Sequence, residues 1–411
     1  MNKTTRTILT ALLLSSALAL PSTAMARPAD GAKHFAGHMR GPLARRFSDR
    51  FDRVRAPLAK SATRKPLRPS QFFTIIDEPD ADPSLYGTRV FGINEKGQIS
   101  GQYMDSSGQY HAFLGTPNGD GFDFTPITVD GSNTFTGILN DRSEMFGTFD
   151  NNDTGVENGW VQRPGHKIET FAIPEGTQGT IVQYLNNRGQ VSGNYFDDNG
   201  AYHSYIRDKD GTITKYDDPM GGAGEGEGTN AIGIDNHGDV TGLLIDGSDV
   251  FHGFIRRENG SFEHFDFAGA GTGAFQGTFG VEIEDNGWIA GAYIDSGDVS
   301  HGLLRKPDGT LIGPIDPPDA GTGAFQGVIE LEHLEAGWAI GEYIDSNDLE
   351  HGFICKKCET DRRTYIEFDP PGTGDGGTFT VLSSNKNHVI AGAFKDENGI
   401  RHGFIRYPKE P

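Results

Sequence analysis

Two short stretches at opposite ends of the repetitive part of the chain decide its fold: Phe72-Phe-Thr-Ile-Ile-Asp77-Glu-Pro79 near the start and His402-Gly-Phe-Ile-Arg406 at the end. The second closes a phrase that recurs along the sequence: an apolar strand, an Asn-x-x-Gly turn, a strand ending Gly-x-Tyr/Phe-x-Asp, a short polar turn, then His-Gly-Phe-Ile/Leu. The glycine of the second strand falls at Gly101, Gly147, Gly193, Gly242, Gly291, Gly341 and Gly392, in steps of 46, 46, 49, 49, 50 and 51. The third strand's histidine follows at His111, His203, His252, His301, His351 and His402, with Asn158 in its place in the second repeat. A fourth strand comes next, as in Phe262-Glu-His-Phe-Asp266 and Tyr365-Ile-Glu-Phe-Asp369. After His402 there is none. Residues 72–77, however, match a fourth strand and its Asp-x-Pro exit (compare Ile315-Asp316-Pro317-Pro318). Four short strands in some 48 residues make one propeller blade. The expected fold is therefore an all-β, seven-bladed β-propeller over residues 71–411. Its N-terminal strand, residues 72–77, completes the last blade and removes a free sheet edge.

Composition agrees. Of 411 residues 58 are glycine, only 35% are hydrophobic, and the net charge is −21. Glycine at about twice its usual share suits tight turns and short strands better than long helices. Acidity of this size argues against a nucleic-acid binder, and no apolar run is long enough for a transmembrane helix.

The first 26 residues read as a secretion signal: Lys3 and Arg6, an apolar stretch from Ile8 to Leu20, then Ala24-Met25-Ala26 as a small-x-small cleavage site. The mature protein is expected in the periplasm or outside the cell. Residues 27–70 then carry twelve Lys/Arg against three acids, whereas residues 71–411 carry a net −32. Within this basic arm Leu43, Phe47, Phe51, Val54 and Leu58 are spaced as one helical stripe, with Pro42 placed to open the helix and Pro57 to stop it. Two readings stand open: a disordered tether, or an amphipathic helix whose residues 42–58 touch an anionic surface or the acidic body itself.

The repeat resembles the probable extracellular repeats of the HAF family. The triplet that names the family stands at His111-Ala112-Phe113, and as His-Gly-Phe at His252, His351 and His402. His203-Ser-Tyr205, His301-Gly-Leu303 and Asn158-Gly-Trp160 depart from it. The resemblance covers residues 72–411 and implies secretion and a propeller-like repeat. It implies no settled activity and assigns no catalytic residue.

Because strand direction alternates, second-to-third turns and fourth-to-first loops share one face. That face collects Asp105, Asp150, Asp197, Asp246, Asp295, Asp345 and Asp396. The opposite face is expected to receive the basic residues after each third strand, among them Arg207, Arg256, Arg257 and Arg305. The aspartates read first as hairpin residues whose carboxylates accept backbone N–H bonds. The second reading is calcium at Asp246 with Asp249, Asp295 with Asp298, and Asp345 with Asp348, which offer some of the oxygens calcium needs. No other cofactor is expected. The histidines sit one per blade, too dispersed for a metal cluster, and are expected to bond the aspartate of their own hairpin.

Function, if it departs from the frame, should sit where the repeats diverge. On the innermost strands the equivalent position holds Gly92, Ile138, Tyr184, Gly233, Glu282, Glu332 and Ser383. Glu282 and Glu332, with Tyr184, offer the paired carboxylates that sugar cleavage requires; the plainer reading is solvated channel residues. Two near-identical loops, 269–277 and 319–327, carry Phe275 with Gln276 and Phe325 with Gln326, either a sugar-binding platform or loop packing. They join strand to strand, so the helix N-terminus of a phosphate loop is missing. Cys355 and Cys358 are expected to form a local disulfide in an oxidising compartment. The reading that best fits is a non-catalytic binding or scaffold propeller of the cell envelope, recognising a glycan or a protein. The alternative is a carbohydrate-active enzyme, a glycoside hydrolase or polysaccharide lyase, acting at the channel mouth.

Overall fold

In the computed structural model, which describes residues 72–334 and 337–408, the chain is all-β, with no α-helix among the described residues. The secretion signal and the basic arm lie outside the described residues. Among the described residues no helix is long and apolar enough to cross a membrane.

One unit explains the others. Strands Gly228–Ile234, Val240–Ile245, Phe251–Arg256 and Phe262–Phe265 pair antiparallel in chain order. The second strand is buried along its whole length, so it reads as a continuous apolar run rather than an alternating one. Gly242 stands directly opposite Phe254, and a side chain there would meet the Phe254 ring. Gly253 likewise sits under Phe265 of the fourth strand. The recurring Gly and His-Gly-Phe are thus a packing code: each aromatic ring lies across a glycine on the neighbouring strand.

Strand Phe73–Ile76 pairs antiparallel with Arg401–Arg406, Phe73 opposite Arg406 and Ile76 opposite Gly403. It takes the fourth place in the sheet that also holds Thr373–Ser384 and Ile390–Asp396. Phe73 packs on Phe404 and on Phe368 of the preceding unit.

Neighbouring units are joined in three ways. First, the residue opening an inner strand bridges to the start of the preceding unit's third strand: Gly228 to Tyr202, Gly277 to Phe251, Gly327 to Ser300, and Gly87 to Arg401 across the chain ends. Gly277 has φ 127° and a Cβ would strike the Phe251 carbonyl, so only glycine fits. Second, buried arginines reach back over aromatic rings of the preceding unit: Arg207 on Phe171, Arg256 on Tyr216, Arg305 on Phe265 and Arg406 on Phe368, at 4.4–5.5 Å from the ring centres. These four of the basic residues expected on the opposite face are thus spent between units. Third, the turns after the inner strands form a belt. Asn94 Nδ2 donates to the Asn140 carbonyl, Asn140 to Asn186, and Asn186 to Asp235. Asn385 Nδ2 reaches the Asn94 carbonyl at 3.5 Å, and the Lys386 N–H donates to Glu95.

Candidate functional site

The hairpin aspartates hold their own turns. Asp246 Oδ1 accepts the Ser248 and Val250 N–H groups, Asp295 those of Gly297 and Val299, and Asp345 those of Asn347 and Leu349. Among the described residues, Asp246, Asp249, Asp295, Asp298, Asp345 and Asp348 contribute no group of three converging ligand atoms.

Five of the six repeat histidines, His111 excepted, bridge two carboxylates rather than one. His252 Nδ1 lies 3.1 Å from Asp266 at the end of the fourth strand, and its Nε2 lies 3.6 Å from hairpin Asp246. His203, His301 and His351 repeat this with Asp217, Asp316 and Asp369 at 2.7–3.0 Å, and the hairpin aspartate at 3.5–3.6 Å. The hairpin partner foreseen from the sequence is therefore the longer contact. In His111 it is the 3.1 Å bond to Asp105, with Thr128 replacing the fourth-strand acid. The last clamp crosses the chain ends, His402 Nδ1 to Asp77 at 2.7 Å. The Asp217, Asp266 and Asp77 bonds raise the pKa of His203, His252 and His402. In His301 burial opposes the charge, and Asp316 outweighs it.

The glycine-rich loops fold inward. Phe275 is only 9% exposed and packs in the core beside Phe251 and Phe279. Phe325 lies partly buried against the same cluster. Phe275 and Phe325 both take φ 64°, and their N–H groups donate to the Asp249 and Asp298 carbonyls at 2.7 Å. Gln276 Nε2 donates to Asp298 and Gln326 Nε2 to Asp348, while their carbonyl oxygens accept Gly273 and Gly323 N–H. The structure thus turns Phe275 and Gln276 away from the surface and favours loop packing over a sugar platform. The same bonds occupy the second aspartate of two supposed calcium turns.

The channel positions do come together. Gly92, Tyr184, Gly233, Glu282 and Ser383 pair with equivalent second-strand residues just past a bulge; Glu332 pairs with the equivalent Ile340, its strand's bulge falling earlier, between Val328 and Glu330, and Ile138 lies within the corresponding irregularity. Bulges re-aim side chains. Burial first, then the Glu282 and Glu330 charges, push the Glu332 carboxyl far above its usual range. Burial and then Glu282 and Glu332 push up the Tyr184 hydroxyl. Glu332 Oε2 is buried without a hydrogen-bond partner. Glu284 contributes to the same field; it was missed because it sits in the turn rather than on the strand. Ser383 is withdrawn, its Oγ bonded to the Ile93 backbone. Glu332, pushed toward its protonated form by burial, and the neighbouring Glu282 carboxyl together make a pair that can exchange a proton with a bound group.

Cys355 and Cys358 are joined in a disulfide with no accessible sulfur surface to speak of, both residues being fully buried.

No protein-family model and no curated protein matches the chain. Among solved structures it is similar to selenomethionine-substituted virginiamycin B lyase from Staphylococcus aureus, with TM-score 0.53 and 11% identity over 82% of this chain and 100% of that one. A streptogramin B lyase structure gives TM-score 0.53 and 11% identity over 82% and 98% of the two chains. A prolyl endopeptidase gives 0.51 and 10% over 77% of this chain and 49% of that one. At such identities the likeness is one of fold: the chain is all-β and β-propeller-like.

Proposed function

We propose that the protein is a secreted, non-catalytic binding propeller of the cell envelope, a rigid seven-bladed ring over residues 71–411 that presents its acidic, loop-rich face to a glycan or a protein partner. The closed seven-fold ring is supported by the Phe73–Ile76 pairing with Arg401–Arg406 and by the Gly87–Arg401 bridge. The observation that carries the functional reading is the fate of the recurring polar groups. Histidines, hairpin aspartates and loop glutamines are consumed in holding strands, turns and loops, so the repeat is a frame and recognition belongs to what differs between units. Rigid frames that present variable loops are common binding devices.

A second reading rests on a specific observation, the displaced Glu332 carboxyl in the field of Glu282. Those two with Tyr184 would serve a carbohydrate-active enzyme, Glu332 as acid and Glu282 as base or nucleophile. Incubating the protein with a panel of polysaccharides separates the two. The binding reading expects retention on at least one glycan or envelope protein without released reducing ends or unsaturated sugars. Turnover that disappears in Glu282→Gln and Glu332→Gln would overturn it in favour of the enzyme.

A further inference from the structure

After the third unit the belt of turns changes chemistry: its first turn residue is an acid, Asp235 in the fourth unit and Glu284 in the fifth. At Asn94, Asn140 and Asn186 the first turn residue supplies an amide that donates to the next unit's carbonyl. At the fourth unit that residue is Asp235, which has no N–H to donate. The neighbouring strand of the belt continues unbroken there: Asn236 N–H and Nδ2 both donate to Asp285 at 2.8 Å. So the two turns remain apposed through Asn236 and Asp285.

Asp235 is 5% exposed. Its Oδ1 accepts the His237 and Asp239 N–H groups at 2.9 Å. Its Oδ2 lies 3.4 Å from the His237 Nδ1 atom. Burying a carboxylate is costly unless its charge is offset by partners. Around it the ligand atoms of Asp235, His237 and Asp285 lie within 4.8 Å of one another. Arg188 pins the turn from outside by donating to the Asn236 and His237 carbonyls, and is itself drawn toward Glu258 at 3.7 Å.

We propose that Asp235, His237 and Asp285 bind a zinc-class divalent cation, which takes the place of the missing amide and ties two adjacent units together at the turn end of the channel. One imidazole nitrogen with two carboxylates suits zinc or a neighbouring first-row metal, whereas calcium calls for six to eight oxygens. His237 and Asp285 are exposed, so an ion can reach the group from solvent.

The test uses the untagged full chain, with thermal melting and calorimetric titration of zinc, magnesium and calcium. Zinc is expected to bind at one site and raise the melting temperature, with magnesium and calcium at equal concentration giving no such rise. His237→Ala is expected to melt like the parent without zinc and to bind zinc about tenfold or more weakly. Asp235→Asn restores the belt amide, so it should melt at or above the parent without zinc and lose the zinc response. The proposal is overturned if zinc binds no more tightly than magnesium, or if His237→Ala keeps the parent's zinc affinity.

Discussion

At the scale of single residues, the histidine clamps make stability depend on pH in a defined sense. Partner carboxylates raise His203, His252, His301 and His402. Their contribution is complete below the unfolded value of about 6.5 and is lost as pH rises through the raised folded values. Burial works against ionisation of Asp345, but bonds from His351 and from the Leu349 and Asn347 N–H groups outweigh it and hold the carboxyl down at about 2. That contribution is present above about pH 4 and fades only on strong acidification. The melting temperature should therefore be higher at pH 5.5 than at pH 8.5, and the difference should shrink in the His252→Gln, His301→Gln double variant. A melting temperature that climbs from pH 5.5 to 8.5 would contradict the clamp. The histidines were legible from their spacing; their fourth-strand partners were not, because Asp217, Asp266, Asp316 and Asp369 follow at separations of 14 to 18 residues across turns of unequal length. The burial of Phe275 escaped for a related reason: its φ of 64° is unusual for an aromatic residue, and nothing in the loop composition announces it.

At the scale of elements, the packing of aromatic rings over glycines sets which changes the sheets tolerate. Gly277→Ala places a methyl against the Phe251 carbonyl at a positive φ, and is expected to destabilise by more than about 1 kcal/mol in a urea melt. Gly247, with open space around its Cβ, should accept alanine within about 0.5 kcal/mol. Equal effects at the two positions would mean that the inner-strand bridge does not order the units. The Cys355–Cys358 loop spans three residues, so its constraint on the unfolded chain is worth about 2 kcal/mol; replacing both cysteines by serine also buries two hydroxyls, and the urea midpoint should fall accordingly. The strands and their order could be read from the repeat because each unit restates the same pattern. The links between units were harder to read. The Asn94, Asn140, Asn186 series was visible as a turn motif, but a bond running 46 residues forward to the next turn has no local signature. The arginines closing the third strands looked like surface charges because sequence alone does not say that an aromatic ring of the preceding unit lies beneath them.

At the scale of the whole molecule, a net −32 over residues 71–411 opposes compactness, and added salt should relieve it. Because the hairpin aspartates already accept backbone N–H groups, calcium and sodium at matched ionic strength should raise the melting temperature equally. A larger rise with calcium, removed by Asp246→Asn, Asp295→Asn and Asp345→Asn, would restore the calcium reading of those turns. The central claim is that the first strand and the last three make one sheet and so close the ring. Phe73 packs on Phe368 and Phe404, Ile76 is buried, and Asp77 clamps His402. The most direct test compares the thermal melting of the chain starting at residue 71 with that of one starting at residue 79. Loss of the half-buried Phe73 and the buried Ile76 contacts should lower the melting temperature by about 10 °C; identical melting of the two would contradict closure by the N-terminal strand.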